Sequence, residues 1–446
     1  MTACIASSID AAAIFVGIIL GSGIFEAPAA VARATPSLPL AAGLWLVGAM
    51  VAACGAFCYA ECGARLPKTG GFYVYFRETY GEGAAFVAGW AALLITYPVS
   101  LAAIAHILAR YLGRVSPFLT ASEMSTALLA AVAVLVAGGL NIVGVRTGAN
   151  TQRLLTGFKV LALALLCIAA AFAPGQGMEA SSTTSPVELE ILPLGLSAML
   201  GAMVLLLWTY DGWSDVTLIG GELRDPGRNF GRTVILGTCV LATLYVLVQT
   251  AVMLLLPAHE AAESEQVVAD AVSRGLGMEM GRGVAVLVVI CTFGAINGVV
   301  LTASRLGFAM ANDGVFLRFF AAVDPRLGTP ARSILALIVA TLVYVFMVDD
   351  FNSLLGFFSF NVWLFYAATA IALVVLRRRH VGDPPAWRAP GGYLAPAVIL
   401  ITAASMTTSL MVQSPLRSLA GLAILLCGVP AYMIWRRAAR RRSLPD

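Results

Sequence analysis

Long apolar segments joined by short polar connections fill most of this chain. A helix needs about 20 mostly apolar residues to cross the hydrocarbon of a bilayer, and twelve segments meet or approach that length. They span residues 8–33, 39–63, 83–112, 124–144, 150–173, 193–221, 232–256, 282–311, 331–348, 353–377, 395–412 and 418–436. The pattern predicts an all-α integral membrane protein with twelve transmembrane helices.

The composition supports this class and excludes others. Of the 446 residues, 60% are hydrophobic and 12% are charged, whereas a soluble globular chain carries about 25% charged residues. The basic residues lie in short loops, so the pI near 8.6 does not indicate nucleic-acid binding. The eight cysteines show no metal-binding spacing with histidine, and we expect neither a metal nor a cofactor. A single membrane domain over 1–446 is predicted, with a ten-helix core over 1–380 and two helices and a basic tail over 381–446.

The basic residues also predict the orientation, because cytoplasmic loops of membrane proteins are enriched in lysine and arginine. With a cytoplasmic N-terminus, most of the 28 basic residues fall in the cytoplasmic loops and the C-terminal tail. One lysine, Lys159, lies inside a helix. The outer side holds only Arg33, Arg110, Arg114, Arg274, Arg282 and Arg417. Both termini are therefore expected in the cytoplasm.

Two stretches interrupt apolar segments at corresponding positions. Residues 21–25 (Gly-Ser-Gly-Ile-Phe) break the first segment, and residues 208–213 (Trp-Thr-Tyr-Asp-Gly-Trp) break the sixth. We expect the first five helices and the next five to form inverted repeats, since an odd number makes the second set start from the opposite side. Helices 1 and 6 would then run antiparallel with their breaks facing each other near the midplane, which is the geometry of a central site served by alternating access.

The first break can bind both ends of an α-amino acid. Gly21 and Gly23 permit unusual backbone angles, and Ser22 adds a hydroxyl. A half-helix that begins near Ile24 presents free N–H groups and the positive end of its dipole, which suit a carboxylate. The half-helix that ends near Ile19 presents carbonyl groups, which suit an ammonium. The alternative is that these small residues only let two helices pack closely.

In the second break, Asp211 and Gly212 interrupt the helix. Asp211 either binds a cationic group or caps the half-helix that follows, a position that aspartate favours. Trp208 is too central for an interfacial aromatic belt, so we interpret it as a gate over the site rather than a lipid-facing side chain.

Lys159 is the only lysine predicted inside the membrane. It lies roughly 12–15 Å from the start of its helix at 1.5 Å per residue, and a buried ionisable group in a membrane helix is a functional candidate by default. Since burial disfavours the charged form, Lys159 could exchange a proton during a transport cycle. The alternative is a fixed cation that holds helix 1 to helix 8.

Two further polar residues leave alternatives open. His106 in the third segment is either a proton relay or a partner in a helix–helix hydrogen bond. Glu26 follows the first break and either lies in an outer vestibule or faces Arg33.

Ordered motifs along nearly the whole chain resemble the amino acid–polyamine–organocation transporters, and among them the L-type amino acid transporter branch and its bacterial relatives. The motifs are Gly-Ser-Gly-Ile-Phe at 21–25 with Pro28, Cys-Tyr-Ala-Glu at 58–61, Pro-Lys-Thr-Gly-Gly at 67–71, Tyr-Asp-Gly-Trp at 210–213, Gly-Glu at 221–222, Asp-Pro-Gly-Arg-Asn at 225–229, Asn-Gly at 297–298, Ser-Arg at 304–305 and the 324–330 loop.

The resemblance implies that the helix 1 break and Trp208, Thr209, Tyr210 and Asp211 contact an amino acid substrate. It also implies that Lys159 takes the place of a sodium ion used by distant relatives. Two features depart from the pattern. Glu26 replaces a usually small or apolar residue, and residues 113–123 lack the cysteine by which animal members bond a glycoprotein partner. We therefore expect no disulfide-linked heavy chain.

Together these features predict a plasma-membrane transporter that moves L-amino acids, neutral ones first, by sodium-independent alternating access. A transporter of cationic amino acids or polyamines is the second interpretation, because of Asp211 and Glu26. A channel would not need paired breaks of opposite polarity. A membrane amino acid sensor would use the same site, with an added signalling domain or tail. An enzyme is not predicted, because no nucleophile–base pair or metal set is visible.

Overall fold

A computed structural model describes residues 8–35, 37–173, 194–222, 226–348, 351–382 and 387–442. These residues form helices and connections without a β-strand. The α-helices are α1 (Ser8–Ile19), α2 (Gly23–Ala34), α3 (Leu38–Arg65), α4 (Phe72–Tyr80), α5 (Glu82–Ala91), α6 (Tyr97–Val115), α7 (Glu123–Val143), α8 (Val145–Ala171), α9 (Leu194–Thr209), α10 (Asp215–Leu218), α11 (Pro226–Leu255), α12 (Ala258–Glu263), α13 (Val267–Leu276), α14 (Met278–Asn312), α15 (Ala331–Met347), α16 (Phe351–Arg379), α17 (Leu394–Gln413) and α18 (Pro415–Arg442).

The apolar lengths of these helices confirm the predicted all-helical membrane fold. In the described part of the chain, nine helices are long and apolar enough to cross a bilayer, and α1 with α2 makes a tenth span that bends by 48° at its break. Two shorter apolar helices, 198–209 and 331–347, lie where the sequence predicts the sixth and ninth spans. Residues 223–225, 383–386 and 443–446, which include part of the 225–229 motif and of the predicted C-terminal unit, lie outside the described residues.

The third span contains a local change of helix type. Helices α5 and α6 join through a π-helical turn, Ala92–Thr96, into one span over Glu82–Val115. A π-helical turn inserts an extra residue and rotates the side chains that follow, and such turns are frequent at functional sites. Here the turn ends at Thr96 and Tyr97, both buried in the centre of the molecule.

A buried ion cluster closes the end of the molecule that the sequence predicts to be cytoplasmic. Glu61 of α3 is fully buried and accepts hydrogen bonds from Arg65, at 3.1 Å, and from Arg377 of α16, at 2.5 and 2.9 Å. The backbone N–H of Ala389 donates to the same carboxylate at 2.8 Å. Nearby, Tyr73 donates to Asp313 at 3.1 Å, and Asp313 also pairs with Arg77. Because two arginines and a backbone donor share one carboxylate, three separate parts of the chain are held together.

Candidate functional site

The two breaks lie against each other at the centre of the bundle. Helix α1 ends at Ile19 and α2 begins at Gly23, while α9 ends at Thr209 and α10 begins at Asp215. A Cβ atom added to Gly23 would lie 2.7 Å from the Cα of Thr209. Gly212 has a φ of +116°, a conformation that favours glycine, and lies against the side chains at the end of α1. Glycine at these two positions therefore lets the broken segments approach.

A tyrosine hydroxyl joins the carbonyl ends of both breaks. The hydroxyl of Tyr245 in α11 lies 3.0 Å from the carbonyl oxygen of Ile19 and 3.2 Å from that of Thr209. The last carbonyls of a helix have no partner within the helix, and the single proton of this hydroxyl is shared between one such carbonyl at each break. Sequence reasoning missed Tyr245, although a tyrosine at the centre of an apolar segment signals a buried hydroxyl in need of a partner.

Lys159 of α8 lies beside the first break, and its side chain reaches between α1 and α14. Its Nζ is fully buried and donates to the carbonyl oxygens of Gly17, at 2.9 Å, and Leu20, at 3.0 Å. Gly294 of α14 makes room for it, because an added Cβ would lie 2.7 Å from Nζ. A positive charge is favourable at the C-terminal end of a helix, so the ammonium stabilises the broken end of α1. The structure thus places Lys159 between α1 and α14, which are parts of the first and eighth predicted spans.

A small cavity of about 40 Å³ lies between the breaks. Of the residues that the sequence singles out, Gly21, Ser22, Gly23, Trp208, Thr209 and Asp211 line it. The hydroxyl of Ser22 is buried and has no hydrogen-bond partner among the described residues. The first N–H groups of α2 lack acceptors within the helix. The cavity is therefore lined by hydrogen-bond donors of α2 on one side and by the carbonyl end of α1 on the other.

Two predicted contact residues do not line this cavity. Ile24 is fully buried in the core. Tyr210 points away, since its hydroxyl donates to the carbonyl of Trp45 at 3.1 Å and its ring packs against Trp45 and Tyr245. The phase of α9 explains this difference, because successive helical residues point about 100° apart and Tyr210 faces α3 while Thr209 faces the break.

Asp211 does not cap the half-helix that follows, so that alternative is wrong. The N-cap of α10 is Ser214, and the carboxylate of Asp211 instead accepts a hydrogen bond from the hydroxyl of Tyr366 in α16. A second acid, Asp215, lies one turn further on and accepts hydrogen bonds from Ser214, at 3.3 Å, and Tyr97, at 3.4 Å. Sequence reasoning missed Asp215, although an acidic residue within a predicted span is itself a signal.

Both carboxylates also line a second cavity, of about 30 Å³, on the other side of the second break. Its walls are aromatic and polar, and the hydroxyl of Thr96 there is buried without a described partner. The two cavities share Ser100, Asp211, Asp215 and Val299. None of the described residues that line either cavity is a lysine or an arginine. The centre of the molecule is therefore acidic on the side of the second break.

A larger opening of about 820 Å³ lies on the side predicted to be outer. We call it the outer vestibule; its charged and titratable lining residues are Glu26, Arg33, His106, Arg110, Glu123 and Glu265. Of the two alternatives for Glu26, the structure favours the vestibule, because its carboxylate pairs with Arg110 at 3.0 Å while Arg33 donates to the carbonyl of Ala262. His106 lines the same opening.

Trp208 separates the outer vestibule from the cavity between the breaks. Its ring meets that of Phe351 edge to face, with centroids 5.3 Å apart. Phe351 lines the outer vestibule, whereas Trp208 lines the cavity between the breaks. This aromatic pair therefore lies between the two openings, where the sequence predicts a gate. Among the described residues, no group of three histidine, cysteine or acidic side chains is arranged to hold a metal ion.

Comparison with known proteins identifies the family. The family model described as amino acid permease matches residues 7–432. Human b(0,+)-type amino acid transporter 1 is 32% identical over 83% of this chain and 75% of its own length. The mouse Asc-type amino acid transporter 1 is 31% identical over 96% of the chain and 81% of its own length, and the human large neutral amino acids transporter small subunit 2 is 30% identical over 96% and 79%. The chain therefore belongs to the amino acid permease family and is a multi-pass membrane transporter of the amino acid–polyamine–organocation superfamily.

Proposed function

We propose that this protein carries L-amino acids, neutral ones first, across the plasma membrane by sodium-independent alternating access. The observation that carries the proposal is the meeting of two broken helices around a cavity whose walls have opposite polarity. A backbone carboxylate fits the free N–H groups of α2 and the unpartnered hydroxyl of Ser22. A backbone ammonium fits the carbonyl ends of α1 and α9, which lie close together at Tyr245.

The two ends of the molecule support alternating access. The outer vestibule opens to about 820 Å³, while the opposite end is closed by the cluster around Glu61 and by the contacts of Asp313 with Tyr73 and Arg77. Transport would require the outer end to close and the inner end to open around the same cavity.

We also propose the finer features of the architecture. Counting the two shorter apolar helices as spans 6 and 9 gives twelve spans, the first ten of which would form two inverted repeats of five. Both termini would then be cytoplasmic, as the distribution of basic residues indicates.

Sodium independence follows from the position of Lys159. Its ammonium occupies the carbonyl end of α1, where a sodium ion would otherwise find oxygen ligands. Two cations about 4 Å apart repel by about 4 kcal/mol at an effective dielectric constant near 20. A sodium ion beside protonated Lys159 is therefore unfavourable, whereas the head group of an amino acid carries its own carboxylate beside its ammonium and adds no net charge.

Cationic amino acids or polyamines are the second candidate substrates. Asp211 and Asp215 place two carboxylates in the walls of the cavities, and the described lining residues bring no lysine or arginine to balance them. A positively charged side chain would fit beside these acids and the aromatic rings of the second cavity.

Uptake into proteoliposomes tests the function. Radiolabelled alanine, serine, leucine, lysine, arginine and putrescine are offered with and without internal amino acid, in sodium and in choline buffers. The proposal predicts saturable alanine uptake that does not change when choline replaces sodium. Binding without uptake would support a sensor, and uptake that does not saturate would support a channel.

The segment at 113–123 supports a carrier that works without a disulfide-linked heavy chain, because it contains no cysteine. Transport by the purified single chain in the same proteoliposomes is the expected result. A requirement for an added partner would contradict it.

A further inference from the structure

We propose that Glu26 and Arg110 form an outer binding site, where the zwitterionic head group of a substrate binds before it passes the gate. In this site the guanidinium of Arg110 takes the substrate carboxylate and the carboxylate of Glu26 takes the substrate ammonium. The inference rests on the proposed function and goes beyond it, because the site lies outside the cavity between the breaks.

Charges of both signs face the outer vestibule at one place. Glu26 extends from α2 and Arg110 from α6, and their side chains meet at 3.0 Å with 12% and 34% of their surfaces exposed. Both line the vestibule, so a molecule that enters reaches an acid and a base side by side. The ammonium and the carboxylate of an α-amino acid lie close together, like the two charges of this pair. The substrate ammonium can therefore take the place of Arg110 beside Glu26, and the substrate carboxylate can take the place of Glu26 beside Arg110.

The guanidinium of Arg110 has a hydrogen-bond donor without a partner among the described residues. One of its terminal nitrogens donates to Glu26, but its Nε is buried and has no hydrogen-bond partner among the described residues. Arginine binds a carboxylate best through two parallel N–H groups. A substrate carboxylate that took both N–H groups of this edge would satisfy the donor that Glu26 leaves unpaired.

The carboxylates of the vestibule favour the ammonium end of the substrate. Among its described lining residues, Glu26, Glu123 and Glu265 face Arg33 and Arg110, which leaves an excess of negative charge. Such a field attracts the substrate ammonium, and the three carboxylates are not all neutralised by the two arginines.

The proposed site also touches the gate. The guanidinium of Arg110 lies over the ring of Phe351, at 6.0 Å from its centroid, and that ring packs against Trp208. A substrate that draws Arg110 to its own carboxylate would remove this contact from Phe351. Binding at the outer site therefore loosens the aromatic pair that covers the cavity between the breaks.

The test compares the two faces of the membrane in intact cells that express the protein. Glu26→Gln keeps the size of the side chain and removes its charge, and Arg110→Gln removes the charge while leaving a shorter polar side chain. We expect the half-saturating concentration of external alanine to rise roughly five- to tenfold, since a charged hydrogen bond that stays partly in water contributes at the low end of its range. Half-saturation from inside, measured by efflux from preloaded cells, should not change.

The double variant Glu26→Arg with Arg110→Glu separates recognition from a simple latch. It restores an ion pair but exchanges the positions of the acid and the base. The substrate carboxylate and ammonium then each meet a like charge, and a negative charge faces Phe351. The proposal predicts that external half-saturation stays raised in the double variant. Recovery to the wild-type value would show that the pair only fastens α2 to α6, and it would overturn the proposal.

Arg114→Gln is the matched control, because Arg114 lies one turn along α6 and pairs with Asp270 at 2.6 Å outside the vestibule lining. It should leave both half-saturation values unchanged. Unchanged external half-saturation in the two single variants, or an equal rise on both faces, would refute the outer site. Wild-type protein without saturable uptake would instead refute the proposed function. Melting temperatures in detergent identify any variant that fails to fold, and the second single variant then decides.

Discussion

The two broken helices meet at one cavity, but different chemistry holds each of them. At the first break a full positive charge, the ammonium of Lys159, donates to the carbonyls of Gly17 and Leu20. At the second break the described side-chain donors are neutral hydroxyls: Tyr366 donates to the carboxylate of Asp211, and Tyr245 reaches the carbonyl of Thr209 as well as that of Ile19 at the first break.

The difference predicts where the site is most sensitive. Removing Lys159 from the first break removes a charge from a buried place, whereas removing the hydroxyl of Tyr245 from the second break removes one hydrogen bond between neutral groups. A hydrogen bond to a charged group contributes about 1.5–3 kcal/mol, and a neutral one about 1 kcal/mol. The first break should therefore respond more strongly to substitution than the second.

The largest effect is expected for Lys159→Ala. Without the ammonium, the carbonyls of Gly17 and Leu20 lose the charged donor that they share, so uptake should fall at least about twentyfold while the protein stays folded. Uptake and melting temperature in detergent are measured together. Lys68→Ala, which changes an exposed lysine, should behave as wild type.

Three outcomes for Lys159→Ala are distinct. Lost uptake at normal stability supports a role in the cycle. Lost expression and a lowered melting temperature would show that Lys159 is only a structural cation. Normal uptake at normal stability would contradict both interpretations and would place the transport site elsewhere.

Gly23→Ala tests whether the breaks must touch. The added methyl group would lie 2.7 Å from the Cα of Thr209, so the two breaks would have to separate. Overpacking of this kind costs about 1–3 kcal/mol, and we expect about tenfold lower uptake. Gly43→Ala is the control, because an added Cβ there meets nothing within 4 Å. Equal uptake by both variants would show that close approach of the breaks is not required.

Asp211→Asn tests whether uptake needs the negative charge at the second break. Asparagine keeps an oxygen that accepts the hydroxyl of Tyr366 but removes the negative charge, so alanine uptake should fall only about threefold. Serine and leucine should compete with alanine better than lysine or arginine does, before and after the substitution. Lysine as the best competitor in the wild type, with its advantage lost in the variant, would favour a cationic substrate. Asp215→Asn repeats the measurement at the neighbouring acid.

The smallest effect is expected for Tyr245→Phe, which removes the hydroxyl that the two carbonyl ends share. Because the single proton of this hydroxyl is shared between two carbonyls, a loss of about 0.5 kcal/mol should lower the melting temperature by about 1 °C and uptake about twofold. Tyr344→Phe removes a hydroxyl that donates to the carbonyl of Leu94 at 3.0 Å, away from both breaks, and should leave uptake unchanged. A drop in uptake as large as that of Lys159→Ala would contradict the expectation that a charged donor matters more than a neutral hydroxyl at the breaks.

The sequence predicts the features that depend on local composition. Apolar length predicts the spans. Glycine next to small or polar residues, at Gly21 to Gly23 and at Asp211 and Gly212, predicts the breaks, because glycine permits the backbone angles at which a helix ends. Lys159 stands out because a lysine in an apolar segment is costly. These signals need no knowledge of how the helices pack.

What the sequence leaves open depends on the rotation of each helix about its axis. In a segment that is apolar all round, periodicity does not show which side faces the centre. The sequence therefore does not show that Tyr245, Tyr366 and Thr96 face the breaks, and it predicts Tyr210 at the cavity although Tyr210 faces α3. For the same reason the partner of Glu26 is Arg110 of the third span rather than its near neighbour Arg33.

The buried carboxylate of Glu61 has a consequence for the way the chain assembles. Arg65 lies one turn away in the same helix, so it can accompany Glu61 into the bilayer as soon as α3 is made. Arg377 follows 316 residues later. The nascent chain thus carries a partly satisfied acid through the synthesis of seven further spans, as the sequence counts them. Its hydrogen bonds are complete only after α16 and then Ala389 have been made, so these contacts form late in the assembly of the molecule.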